Sequence, residues 1–161
     1  MSRKNKISLN SEKVRYILRL ATIKDLDQIY QIELKSFKDP YPLGLLHHFI
    51  LDRSSITLII ELDQKIVGYT FGFIRSGEIG HIISIAVNPE HRNRGYGNIL
   101  VGNLIAALKK EGILKIELEV RISNKIAQEL YKKFDFDFKE IKRYYYSDGE
   151  DAYLMVCNIR K

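Results

Sequence analysis

A change of hydrophobic period in mid-chain restricts the fold most. Gly80 to Val87 is a run of strand-forming apolar residues. After Asn88-Pro89-Glu90-His91-Arg92-Asn93-Arg94 the pattern resumes at Gly95-Tyr96-Gly97 with a helical repeat. Leu100, Val101, Leu104, Ile105 and Leu108 form one apolar stripe on a helix from about Tyr96 to Glu111, which Gly112 ends. Ile113 to Arg121 then alternates strictly, with Ile116, Leu118 and Val120 on one face and Lys115, Glu117, Glu119 and Arg121 on the other. Strand, glycine turn, helix and strand in succession call for helices layered on a sheet.

The rest of the chain extends this plan. Val14 to Leu20, Thr57 to Leu62, Ile66 to Arg75, Phe136 to Arg143 and Ala152 to Ile159 read as further strands. Thr22 reads as an N-cap with Asp25 three residues on. It precedes a helix carrying Leu26, Ile29, Tyr30 and Phe37 on one face. Pro40-Tyr41-Pro42 breaks that helix, and a shorter one is expected over Leu43 to Leu51. Asp63-Gln64-Lys65 reads as a hairpin turn, Ser76-Gly77 as a second turn, and Asn124 to Phe134 as the last helix. The expected fold is α/β (α+β mixed): a mixed central sheet of six to seven strands flanked by about four helices.

At 161 residues the chain suits one domain with one core. No stretch approaches the roughly 20 apolar residues of a membrane span, and Met1 to Lys6 is basic and polar, unlike a secretory signal. One cysteine, Cys157, excludes an internal disulfide, and with only four histidines a zinc site is not expected. These features suit a cytoplasmic protein. The net charge is +6, and Arg3, Lys4, Lys6, Lys13 and Arg15 against Glu12 put most of it at the start. Residues 1–13 are therefore read as a basic, flexible tail and residues 14–161 as the domain. Such a tail is either a solvated leader or a contact to RNA or a ribosome.

The turn after Val87 carries the most chemistry. N–H groups at a helix start are unpaired and point outward, the helix dipole adds positive potential, and glycine lets an anion approach the backbone. Arg92 and Arg94 add charge beside Asn93, Gly95, Tyr96, Gly97 and Asn98, so the segment reads as a pyrophosphate cradle. A dinucleotide is disfavoured because the third glycine of G-x-G-x-x-G is missing.

Arg92-x-x-Gly95-x-Gly97 resembles the phosphate-binding signature of the GNAT (N-acetyltransferase) superfamily. Leu118-Glu119-Val120-Arg121-Ile122-Ser123-Asn124, followed by Ala127, Leu130-Tyr131 and Phe136, is similar to a run in its N-terminal acetyltransferases. Tyr145-Tyr146 before Asp148-Gly149-Glu150-Asp151-Ala152 resembles their C-terminal hairpin, and Gly80-His81 to Ser84-Ile85-Ala86-Val87 their central strand. The likeness runs over roughly residues 14–159. It is nearest to RimI-type ribosomal-protein acetyltransferases and the archaeal and eukaryotic N-terminal acetyltransferase catalytic subunits. Asp135 departs from the pattern, which has glycine before the phenylalanine; the departure falls on a helix C-cap.

The resemblance implies acetyl transfer from acetyl-CoA to the free α-amine of protein N-termini, ribosomal proteins among them, with no metal. It implies that the cradle binds the coenzyme A pyrophosphate and that Ile85, Ala86 and Val87 hold the pantetheine arm and acetyl carbonyl. Tyr131 is then the candidate general acid and Asn124 a second ligand of the arm. Glu119 and His81 are both candidates for the base. The alternative for Glu119 is an ion pair with Arg121 or Lys115, and for His81 a structural role. The acceptor groove would lie between Phe37, Asp39, Pro40 and Tyr41 on one wall and Tyr144, Tyr145 and Tyr146 on the other. Neighbouring tyrosines on a strand alternate sides, so the three cannot all enter the core.

Two other readings fit the same fold: acetylation of a lysine or small amine, and a non-catalytic acyl-CoA-binding or RNA- or ribosome-binding module. Nothing in the sequence suggests specific DNA recognition or membrane association.

Overall fold

The computed structural model describes residues 15–75 and 78–159. The basic tail and the Ser76-Gly77 turn lie outside the described residues. Seven strands form one sheet in the order β1-β2-β3-β4-β5-β7-β6, where β1 is Ile17–Leu20, β2 Ser55–Leu62, β3 Lys65–Arg75, β4 Ile79–Val87, β5 Lys115–Arg121, β6 Asp137–Lys142 and β7 Ala152–Asn158. Every neighbouring pair is antiparallel except β4–β5. The four α-helices are α1 (Leu26–Ser36), α2 (Leu43–Leu51), α3 (Tyr96–Lys110) and α4 (Lys125–Lys132).

The sheet separates two apolar layers. Leu100, Val101, Leu104 and Leu108 of α3 pack with Ile60, Val67, Ile82 and Leu118. Ile29, Ile32, Leu46 and Phe49 of α1 and α2 pack with Ile59, Tyr69, Phe71 and Ala86. Ile59 and Ile60 are adjacent and both fully buried, yet belong to opposite layers. The two-residue period of a strand explains this, and burial on both faces explains why β2 and β3 read as continuous apolar runs. In β5 the expected alternation holds, with every second residue buried.

Local departures from the sequence reading have local causes. The first helix opens with a 3-10 turn, Ile23–Asp25, in which the Asp25 carboxylate accepts from the Thr22 N–H at 2.7 Å. Phe37 leaves the helix with extended backbone (φ −123°, ψ 141°). Asp63 and Gln64 both have positive φ, so the hairpin turn is two residues long and Lys65 already pairs with Leu62. The three tyrosines do not sit on a strand: β6 ends at Lys142, and Tyr144 has φ 50°. Asp135 takes the left-handed position (φ 60°) after α4, where the Phe136 N–H returns to the Tyr131 carbonyl at 3.3 Å.

Two irregularities in β4 prepare a site. Its parallel pairing with β5 covers only Ile79–Ile82 against Lys115–Leu118. Beyond Ile82 the two strands are unpaired, and the β5-facing backbone groups of residues 83–87 have no strand partner. On the other side the β3–β4 register shifts between Phe71 and Gly72, leaving Ile83 as an extra residue.

Candidate active site

Two cavities meet where β4 and β5 part. One, of about 920 Å³, is lined by the β4–α3 turn and the start of α4. The other, of about 490 Å³, lies on the α1–α2 side. Ser36, Phe37, Ile85, Asn124 and Ala127 line both. The C-terminal ends of parallel strands are a general place for ligands in α/β sheets.

The larger cavity is a cationic cradle. Gly95 stands before α3 with φ 82°, a backbone that side chains rarely adopt, and Asn93 before it is also left-handed (φ 61°). These turns leave the first N–H groups of α3, around Gly97 and Asn98, facing the cavity wall. Arg92 is fixed by bonds from Nε to the Val87 carbonyl (3.1 Å) and from Nη2 to Ser36 Oγ (3.3 Å). Lys125 and Lys133 add charge against one carboxylate, Glu129. Asn124 caps α4, its Oδ1 accepting from the Ala127 N–H at 3.1 Å. Two predicted members behave differently. Arg94 turns to a separate cleft with Lys35 and Lys65. Tyr96, though it lines the cradle, is a core residue at 5% exposure, edge-on to Tyr16. Ile85 and Val87 pack toward α3, while Ala86 packs toward α1 and α2.

The smaller cavity brings together His81, Glu119, Tyr131, Phe37, Asp39, Tyr41, Tyr145 and Tyr146. Glu119 Oε2 lies 2.6 Å from His81 Nε2, and Oε1 takes Lys142 Nζ. Burial alone would raise its pKa, but the bonds from His81 and Lys142 prevail and hold it at about 2. Neither Lys115 nor Arg121 is its partner; Lys115 bonds Glu117, and Arg121 bonds Asp148 and Glu150. Tyr131 is 6% exposed, its ring against Phe136, and burial raises its phenol further above the ordinary range. It therefore keeps its proton, and among the described residues no group takes it.

The acceptor walls are tied together by contacts the sequence did not reveal. Glu33, 1% exposed, takes the Tyr41 N–H at 2.8 Å on one oxygen and the Tyr69 hydroxyl on the other, fixing the end of the Phe37–Tyr41 loop to β3. Ser147 donates to Asp39, and the Arg121 guanidinium, stacked 3.9 Å over Tyr146, bonds Asp148 and Glu150 and lies 3.6 Å from Asp39. Tyr144 is not in this cavity. It is 81% exposed and borders a shallow cleft with Arg143 and Gly149. Arg121 was visible as a member of the Leu118–Asn124 run but without its partners, and nothing in a single sequence marked Glu33.

Among the described residues no cluster of three or more His, Cys, Asp or Glu is disposed to hold a metal, and no helix is long and apolar enough to cross a membrane. Residues 23–136 match the family model described as acetyltransferase (GNAT) family. The chain is 35% identical over 160 aligned positions to the N-alpha-acetyltransferase of Sulfolobus acidocaldarius, spanning 92% of this chain and 95% of that one. It is 34% identical to a ribosomal-protein-alanine N-acetyltransferase of Haemophilus influenzae, over 83% of this chain and 92% of that one. The crystal structure of the corresponding Escherichia coli enzyme superposes with a TM-score of 0.84 at 27% identity, covering 91% of this chain and 96% of that one.

Proposed function

The chain belongs to the GNAT acetyltransferase family, and from that premise we propose that it transfers the acetyl group of acetyl-CoA to the free α-amine of protein N-termini, ribosomal proteins being a candidate class. The observation that carries this reading is the meeting of the two cavities at the β4–β5 gap. A phosphate cradle opens from one side, and Glu119, His81 and Tyr131 stand on the other.

The residues fit coenzyme A. Its pyrophosphate matches the α3 N-terminus behind Gly95 with Arg92, and its pantetheine arm matches the unpaired backbone edge of residues 83–87. Acetyl-CoA supplies an activated acyl group; the chain supplies position and proton handling. N–H donors fixed along β4 polarise a bound carbonyl without reorganising. Once the amine nitrogen bonds to carbon it becomes strongly acidic, and Glu119 accepts its proton directly or through water. Tyr131, holding its proton and lacking another acceptor, offers its O–H to the departing sulfur.

Glu119 at about 2 is too weak a base to strip a stable ammonium ion. The amine must therefore arrive largely neutral. An α-amine has a pKa of about 7.7–8.0 and a lysine about 10.4, so a lysine needs roughly 3.4 kcal/mol more to lose its proton. This favours N-termini over lysines and counts against the lysine reading. A non-catalytic acyl-CoA-binding role would leave Tyr131 and Glu119 without purpose.

We place the enzyme in the cytoplasm. Acetylation of a free N-terminal peptide, measured with labelled acetyl-CoA, tests the mechanism. Tyr131→Phe and Glu119→Gln should each lower kcat by about 10²–10⁴ while leaving coenzyme A binding intact. Turnover unchanged in both variants would defeat it.

A further inference from the structure

Three adjacent strands set Arg75, His81 and Glu119 on one face of the sheet. In the β3–β4 register Phe73 pairs with His81 and Arg75 with Ile79, so Arg75 is the diagonal neighbour of His81. In the parallel register His81 stands opposite Glu117, and Glu119 is two residues farther on, on the same face. The Arg75 Nη2 atom lies 2.8 Å from His81 Nδ1, and Glu119 Oε2 lies 2.6 Å from His81 Nε2. His81 is 8% exposed.

Both contacts can be hydrogen bonds in only one way. A guanidinium has donors and no acceptor, so His81 Nδ1 must carry a lone pair. An ionised carboxylate accepts only, so His81 Nε2 must carry the hydrogen. We propose that Arg75 is a positioning residue that fixes His81 as the neutral Nε2–H tautomer, making the imidazole a donor to Glu119 and withdrawing it from the role of base. This rests on the acetyl-transfer reading above. Within that reading it divides the two candidates: Glu119 receives the acceptor's proton, and His81 holds Glu119 in place. An imidazolium would point its Nδ1–H at the Arg75 N–H groups, so a protonated His81 requires Arg75 to leave.

The charged and titratable groups facing His81 are otherwise accounted for. Glu117 on β5 is held by Lys115 at 2.6 Å, and Lys142 on β6 bonds Glu119 rather than His81. Tyr41 and Glu33 line the α1 side of the cavity, with Glu33 already bonded to Tyr69 and to the Tyr41 N–H. Tyr145 faces from the β6–β7 loop, its phenol raised to about 12 by burial first and by the Glu119 charge next, so it stays neutral. Arg75 is the one described group aimed at Nδ1. The pairing was not legible beforehand, because the two side chains stand six positions apart on different strands.

Nitrogen-15 NMR of the full-length protein labelled at histidine reads the tautomer directly, with His81→Asn assigning the resonance. The expected result at pH 7 is neutral His81 bearing its hydrogen on Nε2. Arg75→Met removes the donor aimed at Nδ1, so the spectrum should lose the single Nε2–H form and show a mixture of imidazole forms. Arg75→Lys restores a donor and should keep the tautomer of the unaltered protein. A His81 that is Nδ1–H or imidazolium in the unaltered protein overturns the proposal without recourse to any variant. So does an Arg75→Met protein with an unchanged spectrum. An Nε2–H tautomer lost in Arg75→Met, in a protein that acetylates no peptide, would uphold the assignment and refute the acetyl-transfer reading instead.

Discussion

Replacing Glu33 with alanine should loosen the acceptor wall at a calculable cost. Glu33 is 1% exposed and Tyr69 is fully buried, and one carboxylate receives both the Tyr69 hydroxyl and the Tyr41 N–H. Alanine leaves these two donors without acceptors, at about 1–3 kcal/mol each. Part of that is returned, because burial of the carboxylate already raises its pKa and costs stability. A net loss of about 3 kcal/mol is expected, and for a domain of this size a melting temperature lower by roughly 6–12 °C. The Tyr41 N–H is what ties the Phe37–Tyr41 loop to the sheet, so KM for a peptide should rise about tenfold while KM for acetyl-CoA stays within about twofold. Glu33→Gln keeps an acceptor for Tyr41 and offers an amide to the Tyr69 oxygen, and should recover most of both effects. Differential scanning calorimetry with steady-state kinetics on the three proteins makes the test. A Glu33→Ala protein that melts within about 2 °C of the original with unchanged peptide KM would refute the reasoning.

Other consequences follow from single positions. A Cβ at Gly72 would lie 2.6 Å from Leu104 Cδ1, so Gly72→Ala should cost about 1–3 kcal/mol by thermal unfolding, and adding Leu104→Ala should be clearly less than additive. Asp135 holds φ 60°, so Asp135→Gly should raise stability by about 0.5–1 kcal/mol without altering activity. Glu119, held at about 2 in the fold against an ordinary value of about 4.3, contributes stability that is fully present above that value and lost as pH falls toward 2. Acid titration of Glu119→Gln, followed by circular dichroism, should therefore show a shallower loss of stability between about pH 4.5 and 2.

Much of this architecture was legible because it rests on local rules. The α3 stripe, the β5 alternation and the glycine turn follow from period and backbone freedom, and all three appear where expected. Glu119 stood out as a carboxylate on the polar face of a strand whose other face is core. Its partners did not, because they come from β4 and β6, 38 and 23 residues away. Glu33 was hidden for a similar reason: a glutamate near a helix end reads as solvent-exposed until Tyr69, 36 residues later, is folded against it. The Tyr144–Tyr146 segment was read with strand alternation, but a positive φ at Tyr144 ends that pattern, sending one ring to solvent and the other two to the cavity. Arg94 carries the right charge in the right motif, yet its side chain bonds the Glu90 carbonyl at 3.4 Å and leaves the cradle to Arg92.

The central claim is transfer to an α-amine, and competition between two acceptors tests it most directly. A peptide with a free N-terminus and no lysine is mixed with an N-blocked peptide carrying one internal lysine, labelled acetyl-CoA is added near pH 7.5, and the products are resolved by mass. The account predicts acetylation of the free N-terminus with little on the lysine, the preference narrowing as pH rises toward 10 and lysine loses its proton. Preferential acetylation of the lysine at pH 7.5 would contradict it.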